Sequence, residues 1–267
     1  MAAKKKIKLK RVDKVRLDEL LVLQKLATNK DIAKRYILAG QVIVNEHKQT
    51  SVGLMVAKDA SLRLKGIKAF VGRGGEKLAG ALEAFKLSVK DSTCLDIGVA
   101  TGGFSDCLFK QGASYILGID VGYGQLALKL REDSRMCLME KTDAKKLTAH
   151  CIQTQLNTNQ YKRCLADFNL CVMDVSFTSV IPILGYLKEL FENISDWIIL
   201  IKPQFEATKD EIEPGGIITN PITHESILKR CKTQLENLGF LVQAQHFSTI
   251  KGSKKGNQEV FFWLKCL

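Results

Sequence analysis

Apolar positions along this chain follow two rhythms, and the change between them divides it. In residues 15–64, Leu17, Leu20, Leu21 and Leu26 have helical spacing. Asn29 or Thr28 is placed to cap a second helix with Ile32, Ala33, Tyr36 and Ile37 on one face. Gly40 closes that helix, and Val42-Ile43-Val44 starts a strand, so a small α+β unit is expected. From Phe70 onward, short apolar runs alternate with helical stretches, the pattern of a parallel α/β sheet with helices on both faces. Strands are predicted for the run ending in Asp96-Ile97, for Tyr115 to Asp120, and near 135–140, 169–175, 197–202, 240–247 and 259–265. A helix is predicted from Phe104 to Gln111, and Lys77 opens another ahead of the first of these strands. The expected organisation is a basic tail (1–14), the small unit (15–64), a linker (65–71) and an α/β body (72–267).

Charge sharpens this division. Residues 1–72 hold 17 Lys+Arg and 6 Asp+Glu, a net of +11; the remainder holds 23 and 22, a net of +1. The basic module therefore suits a polyanion, and the body has ordinary enzyme electrostatics. The eight cysteines form no C-x-x-C and several sit in apolar runs, so they read as small buried hydrophobes in a reducing compartment. The scattered histidines indicate no metal site. No apolar h-region follows the basic start and no run nears the ~18–20 residues of a membrane helix, so a cytoplasmic protein is expected.

The stretch from Cys94 to Asp120 carries the clearest chemistry: strand, glycine turn, helix, strand. Gly98, Gly102 and Gly103 form a turn where backbone can approach a ligand. Asp120 lies 17 residues beyond Gly103, near where an acidic side chain grips ribose hydroxyls in dinucleotide-binding folds. The spacing is G-x-x-x-G-G rather than G-x-G-x-x-G, and the missing glycine is the one that admits a pyrophosphate. That favours S-adenosylmethionine, a nucleoside without phosphates, over NAD. Seven strands with a late pair joined by a short loop suit the Rossmann-like sheet of methyltransferases that use it, whose ligands bind at the carboxyl ends of the strands. Four residues stand at such positions: Lys77 after the turn Gly72–Gly75, Asp174 ending a strand in MDVSF, Lys202 ending one in LIKPQFE, and Glu259 opening the last. A lysine at the end of a six-residue apolar strand is costly unless it is paired or faces a site.

Three resemblances follow from these motifs. Residues 15–64 resemble the S4 RNA-binding domain, with Asn29-Lys30 replacing its usual Ser-Arg. The charge is kept there and the guanidinium fork is lost. Lys77, Asp174, Lys202 and Glu259 resemble the Lys-Asp-Lys-Glu set of FtsJ-type ribose 2′-O-methyltransferases. GRGGEKL, LDIGVATGGFSDCL, IDVGYGQLALKLR, MDVSF, IKPQFEA, GGIITNP and IKGSKKGNQEV look like the haemolysin A (TlyA) family of ribosomal RNA methyltransferases, over nearly the whole chain. Departures are Gly72 for Ser, Glu76 for a small or apolar residue and Val99-Ala100 for Ala-Ser, and 150–168 matches no feature of the family.

By resemblance, Lys202 is the general base for a ribose 2′-OH, Lys77 a neighbouring ammonium that tunes it, and Asp174 and Glu259 position the lysines and the hydroxyl. The resemblance also implies that Asp96, Gly98, Gly102 and Gly103 hold the methionine part of S-adenosylmethionine, Asp120 its ribose and Asp143 its adenine, with Thr101 and Phe104 as further cofactor contacts. Arg16, Lys30, Lys34, Arg35, Arg73, Lys251, Lys254 and Lys255 are the expected contacts to ribosomal RNA, within ribosomal subunits, with cytidine the implied target. The segment Gln204–Pro221, with Gly215-Gly216, is long enough to form a lid. Two other readings stay open: an RNA-binding assembly factor with an inactive methyltransferase fold, and a membrane-active haemolysin, against which the missing signal and span count.

Overall fold

The computed structural model describes residues 13–66, 69–248, 250 and 256–267. Lys251, Lys254 and Lys255 and nearly all of the basic tail lie outside the described residues. Two compact units divide at Lys68/Ala69.

The first unit contains β1 (Lys14–Arg16), α1 (Leu17–Leu23), α2 (Lys30–Leu38), β2 (Val42–Val44), β3 (His47–Gln49), β4 (Met55–Ala57) and β5 (Leu62–Leu64). The Asn29 side chain caps α2 by accepting from the Ile32 amide at 2.9 Å. Gly40 follows its end at φ 66°, the left-handed conformation that glycine adopts without strain. Leu17, Leu20, Leu21, Ala33, Ile37 and Val42 close a core between the two helices and the β3-β2-β5 sheet.

The second unit begins earlier than the expected boundary at 72. Its start is fastened by the Val71 amide, which donates to the buried Asp106 carboxylate at 2.9 Å, while Phe70 packs on the core. Next come α3 (Arg73–Phe85), β6 (Thr93–Ile97), α4 (Gly103–Lys110), β7 (Tyr115–Ile119), α5 (Leu128–Arg131) and β8 (Met136–Met139). They are followed by α6 (Ala149–Asn157), β9 (Leu170–Met173), α7 (Ile181–Leu190), β10 (Asp196–Ile201), α8 (Pro203–Glu206), α9 (Pro221–Asn237), β11 (Phe240–Phe247) and β12 (Val260–Cys266). The seven strands run in the order β11-β12-β10-β9-β6-β7-β8, all parallel except β12, which is antiparallel to both neighbours.

Side chains alternate across this sheet as the pleat requires. Leu95, Ile97, Leu117, Ile199 and Phe262 face α6, α7 and α9. Cys94, Ile116, Val172, Ile198 and Phe261 face α3, α4 and α5. Both faces are covered, which accounts for the continuous apolar runs of the central strands. Cys94, Cys107, Cys137, Cys171 and Cys231 are buried as small apolar residues, and burial pushes the Cys107 and Cys231 thiols up to about 12. Residues 150–168 form the crossover from β8 to β9, where Ile152, Leu156 and Phe168 seal one face.

Helix α3 starts at Arg73, so Gly74 and Gly75 occupy its first turn and Lys77 sits one turn in. The turn expected over Gly72–Gly75 is therefore the N-cap and first turn of the helix, which forms despite the poor helix propensity of glycine. A Cβ on Gly103 would stand 3.0 Å from the Gly75 amide nitrogen, so the two helix starts meet backbone to backbone.

Candidate active site

Strand order reverses between β6 and β9, and their carboxyl ends open the crevice where such sheets bind ligands. Gly98 and Asp174 are the residues that leave these strands. A Cβ on Gly98, whose φ is 83°, would collide with the Asp174 carbonyl, so only glycine lets the two strand ends run side by side.

A cavity of about 420 Å³ lies over this end of the sheet, within the usual size of small-molecule sites. Gly98, Asp120 and Asp143 line it, with apolar walls from Ile97, Ile119, Val175 and Ile183. Asp120 braces two loops: its oxygens accept from the Ala100 amide at 2.7 Å and the Gly122 amide at 2.6 Å, and each keeps a second lone pair. Asp143 accepts from the Lys145 amide at 3.0 Å through one oxygen, and its other oxygen has no hydrogen bond among the described residues.

The other expected cofactor residues stand behind this wall. Thr101 is exposed outside the cavity, and Gly102 is covered by Leu126 and Leu130. Gly103 abuts α3, and Phe104 is buried against Phe261 with ring centroids 6.0 Å apart. At Gly102 and Gly103 the space a side chain would take is filled by Leu126, Leu130 and the start of α3. Asp96 is fully buried beneath the crevice. Its Oδ2 accepts from the Ser105 hydroxyl at 2.6 Å and its Oδ1 has no hydrogen-bond partner among the described residues. Burial raises its pKa to about 7, and the nearby Asp174 and Asp120 charges push the same way.

A second cavity of about 530 Å³ contains all four expected reacting residues, Lys77, Asp174, Lys202 and Glu259, together with Arg73. Lys77 and Glu259, 182 positions apart, form a buried ion pair from α3 to the residue before β12. Lys202 stands 2.7 Å from Asp174 Oδ1 and donates to the Ser176 hydroxyl at 2.6 Å. The approach to Asp174 is off the hydrogen-bond direction, so that contact is chiefly charge against charge. Lys77 was expected to act on Lys202 as a neighbouring positive charge. It pairs with Glu259 as Lys202 does with Asp174, so each lysine of the cavity has a carboxylate beside it.

The two cavities share Asp174, Ser176 and Phe177. Phe177 is 92% exposed and has φ 64°, a strained conformation for a residue with a large side chain. Its ring lies 5.4 Å from that of Phe205. Ser176 and Phe177 were not singled out from the sequence, although MDVSF contained both; an exposed aromatic there is visible only once the strand end is placed.

The segment long enough to form a lid is tied to the body by several side-chain bonds. Arg230 grips Glu211 with two bonds of 2.9 and 2.8 Å, holding the Glu211 carboxyl down at about 2. It also reaches the Glu206 carbonyl at 3.2 Å, and Asn257 ties the Ile218 amide at 2.7 Å. In the first unit, Arg16 is held by Asp18 through bonds of 3.0 and 2.9 Å from Nε and Nη2, which leaves its Nη1 hydrogens unused by that pair. Lys30 pairs with Glu19 at 2.8 Å and Lys34 with Asp31 at 3.3 Å. Arg35 is exposed and has no ion-pair partner among the described residues.

This sheet order, with a nucleoside-sized cavity at the switch point and a lysine-carboxylate cavity beside it, defines a Rossmann-like methyltransferase. Residues 70–266 match the FtsJ-like methyltransferase family, and the chain belongs to that family. It is 39% identical over 252 residues to a Bacillus subtilis protein named "Putative rRNA methyltransferase YqxC", covering 94% of this chain and 85% of that one. It is 34% identical to the 16S/23S rRNA (cytidine-2′-O)-methyltransferase TlyA of Mycobacterium tuberculosis, covering 94% and 90%. A solved Streptococcus thermophilus structure named "Putative hemolysin" superposes with a TM-score of 0.67 at 33% identity, covering 96% and 89%.

S-adenosylmethionine is the methyl donor of this class. The first cavity fits it: apolar walls suit an adenine ring, Asp120 has lone pairs for ribose hydroxyls, and Asp143 has an unused oxygen for an exocyclic amine.

Proposed function

We propose that the protein transfers a methyl group from S-adenosylmethionine to the ribose 2′-OH of a cytidine in ribosomal RNA, with Lys202 as general base. The observation that carries this reading is that the two cavities meet at Asp174, Ser176 and Phe177, with Lys77, Lys202 and Glu259 on the far side. When bound, S-adenosylmethionine supplies an activated methyl group on a sulfonium. The protein's task is then alignment and removal of one proton.

A ribose hydroxyl is a weak acid, so its proton must leave as the new O–C bond forms. Lys202 in its neutral form accepts that proton, and Asp174 and Ser176 hold its nitrogen in place. The Lys77–Glu259 pair stiffens the opposite wall, where a buried pair fixes both side chains. Exposed and strained, Phe177 offers a ring against which a base turned out of its stack can rest. The basic first unit, read as an S4-type domain, grips RNA phosphates through Arg35 and neighbouring lysines. Ribosomal RNA as substrate implies ribosomal subunits as the partners and the cytoplasm as the location. Among the described residues, no helix is long and apolar enough to cross a membrane.

Incubation with unmodified ribosomal subunits and labelled S-adenosylmethionine tests the reaction. An alkali-resistant dinucleotide carrying the label at a cytidine is the expected product. Label on a base, or none on RNA, would contradict it.

A further inference from the structure

A third and larger cavity, about 670 Å³, lies between one face of α9 and the end of the sheet's edge strand β11. We propose that it is a second RNA subsite, holding a single-stranded nucleotide that flanks the methylated one. This rests on ribosomal RNA being the substrate.

Three observations converge on that occupant. The floor is aromatic: Phe247, the last residue of β11, is 54% exposed, and the His224 ring lies near-parallel to it at 28°, with centroids 6.3 Å apart. The His224 Nε2 atom is 2.9 Å from the Gln258 carbonyl, which fixes the ring in the groove wall. An exposed ring on a fixed support is what a nucleobase stacks on without regard to sequence.

The rim is cationic. Lys229 and Lys232 sit three residues apart on α9, on the turns beyond His224. Lys229 is exposed and has no ion-pair partner among the described residues, while Lys232 lies 3.8 Å from Glu236. Glu225 opposes them, leaving the lining with a net positive charge. Gln245 adds a side-chain amide for base edges, while the Gln258 amide donates to the Ser248 carbonyl at 2.7 Å and the Thr219 hydroxyl to Glu213 at 2.6 Å.

The groove is also next door to the reaction cavity. Ile217 and Asn257 line the reaction cavity, and their immediate neighbours Ile218 and Gln258 line the groove. The partition is rigid, because the buried Asn257 accepts from the Ile218 amide at 2.7 Å and donates to the Gly216 carbonyl at 2.9 Å. An RNA strand whose target nucleotide occupies the reaction cavity can therefore place an adjacent nucleotide across that partition.

The test uses the full chain, ribosomal RNA and the variants Phe247→Ala, Phe247→Tyr and Lys229→Glu. Phe247→Ala and Lys229→Glu are expected to raise KM for RNA tenfold or more, as lost stacking or phosphate contact does. Affinity for S-adenosylmethionine and kcat at saturating RNA should not change, and Phe247→Tyr should restore the parent KM. Methylation by the parent with equal KM in all three variants would overturn the groove alone, whereas a parent that does not methylate RNA contradicts the reading beneath it. Light scattering adds a further arm: a parent dimer that Phe247→Ala converts to a monomer would assign the face to a second copy of this chain and overturn the RNA assignment.

Discussion

The ion pair between Lys77 and Glu259 is buried, so each partner depends on the other. Removing one partner strands a charge away from water, which typically costs about 3–5 kcal/mol, whereas an apolar pair of similar volume is often neutral or better. Glu259→Ala should therefore lower unfolding free energy by that amount. The double variant Lys77→Met/Glu259→Leu should recover most of it in a denaturant titration while remaining inactive. Recovery of activity in the double variant would remove the pair from the catalytic apparatus. Asp96 makes a different prediction. Its pKa in the folded protein, about 7, exceeds its ordinary value of 3.8, so between those values the folded state holds a proton that the unfolded chain has released. Stability contributed by this group thus falls as pH rises through that window, by about 1.4 kcal/mol per unit at most, and levels off above pH 7. Relative to Asp96→Asn, the parent should lose stability from pH 4 to 7; parallel stability curves would show that Asp96 is not protonated there.

At the scale of elements, the catalytic edge depends on two loops held together. The segment after β9 and the segment after β10 are joined by Asp174–Lys202, by the Phe177 and Phe205 rings, and by Glu206. Glu206 accepts from the Ser179 hydroxyl at 2.6 Å and the Val180 amide at 2.8 Å, and burial raises its pKa. Glu206→Ala should lower kcat tenfold or more, because Ser176 and Phe177 lose their anchor, and leave S-adenosylmethionine affinity within about threefold. An unchanged kcat would show that the loop is held without it. Much of this edge was legible in the sequence, because period and strand-end position are local properties. Lys202 was found as a charge terminating an apolar run, and Asp174 likewise. The roles of Gly102 and Gly103 were not legible: a glycine admits a ligand or a neighbouring helix equally well, and only the fold places α3 against Gly103 and Leu130 over Gly102. Lys77 illustrates the same limit, since its partner lies 182 residues away and spacing carries no trace of it.

Across the whole molecule, charge and chemistry are divided between the two units. The excess of positive charge was readable from counting residues, but which cations are available was not. Arg16, Lys30 and Lys34 each meet a carboxylate, and Arg35 meets none among the described residues. Deleting residues 1–68 should weaken RNA binding and flatten its dependence on salt, since fewer counterions are released per complex, while S-adenosylmethionine binding persists. An unchanged salt slope would give the basic unit another partner. In the proposed mechanism, one carboxylate edge joins a methyl-donor cavity to a lysine that takes the hydroxyl proton. Single-turnover methylation of ribosomal RNA by Lys202→Ala, with S-adenosylmethionine and RNA affinities measured alongside, tests it most directly. Transfer should fall at least about a hundredfold, as loss of a general base implies, with both affinities within a few-fold of the parent. Transfer at the parent rate, with binding intact, would contradict it.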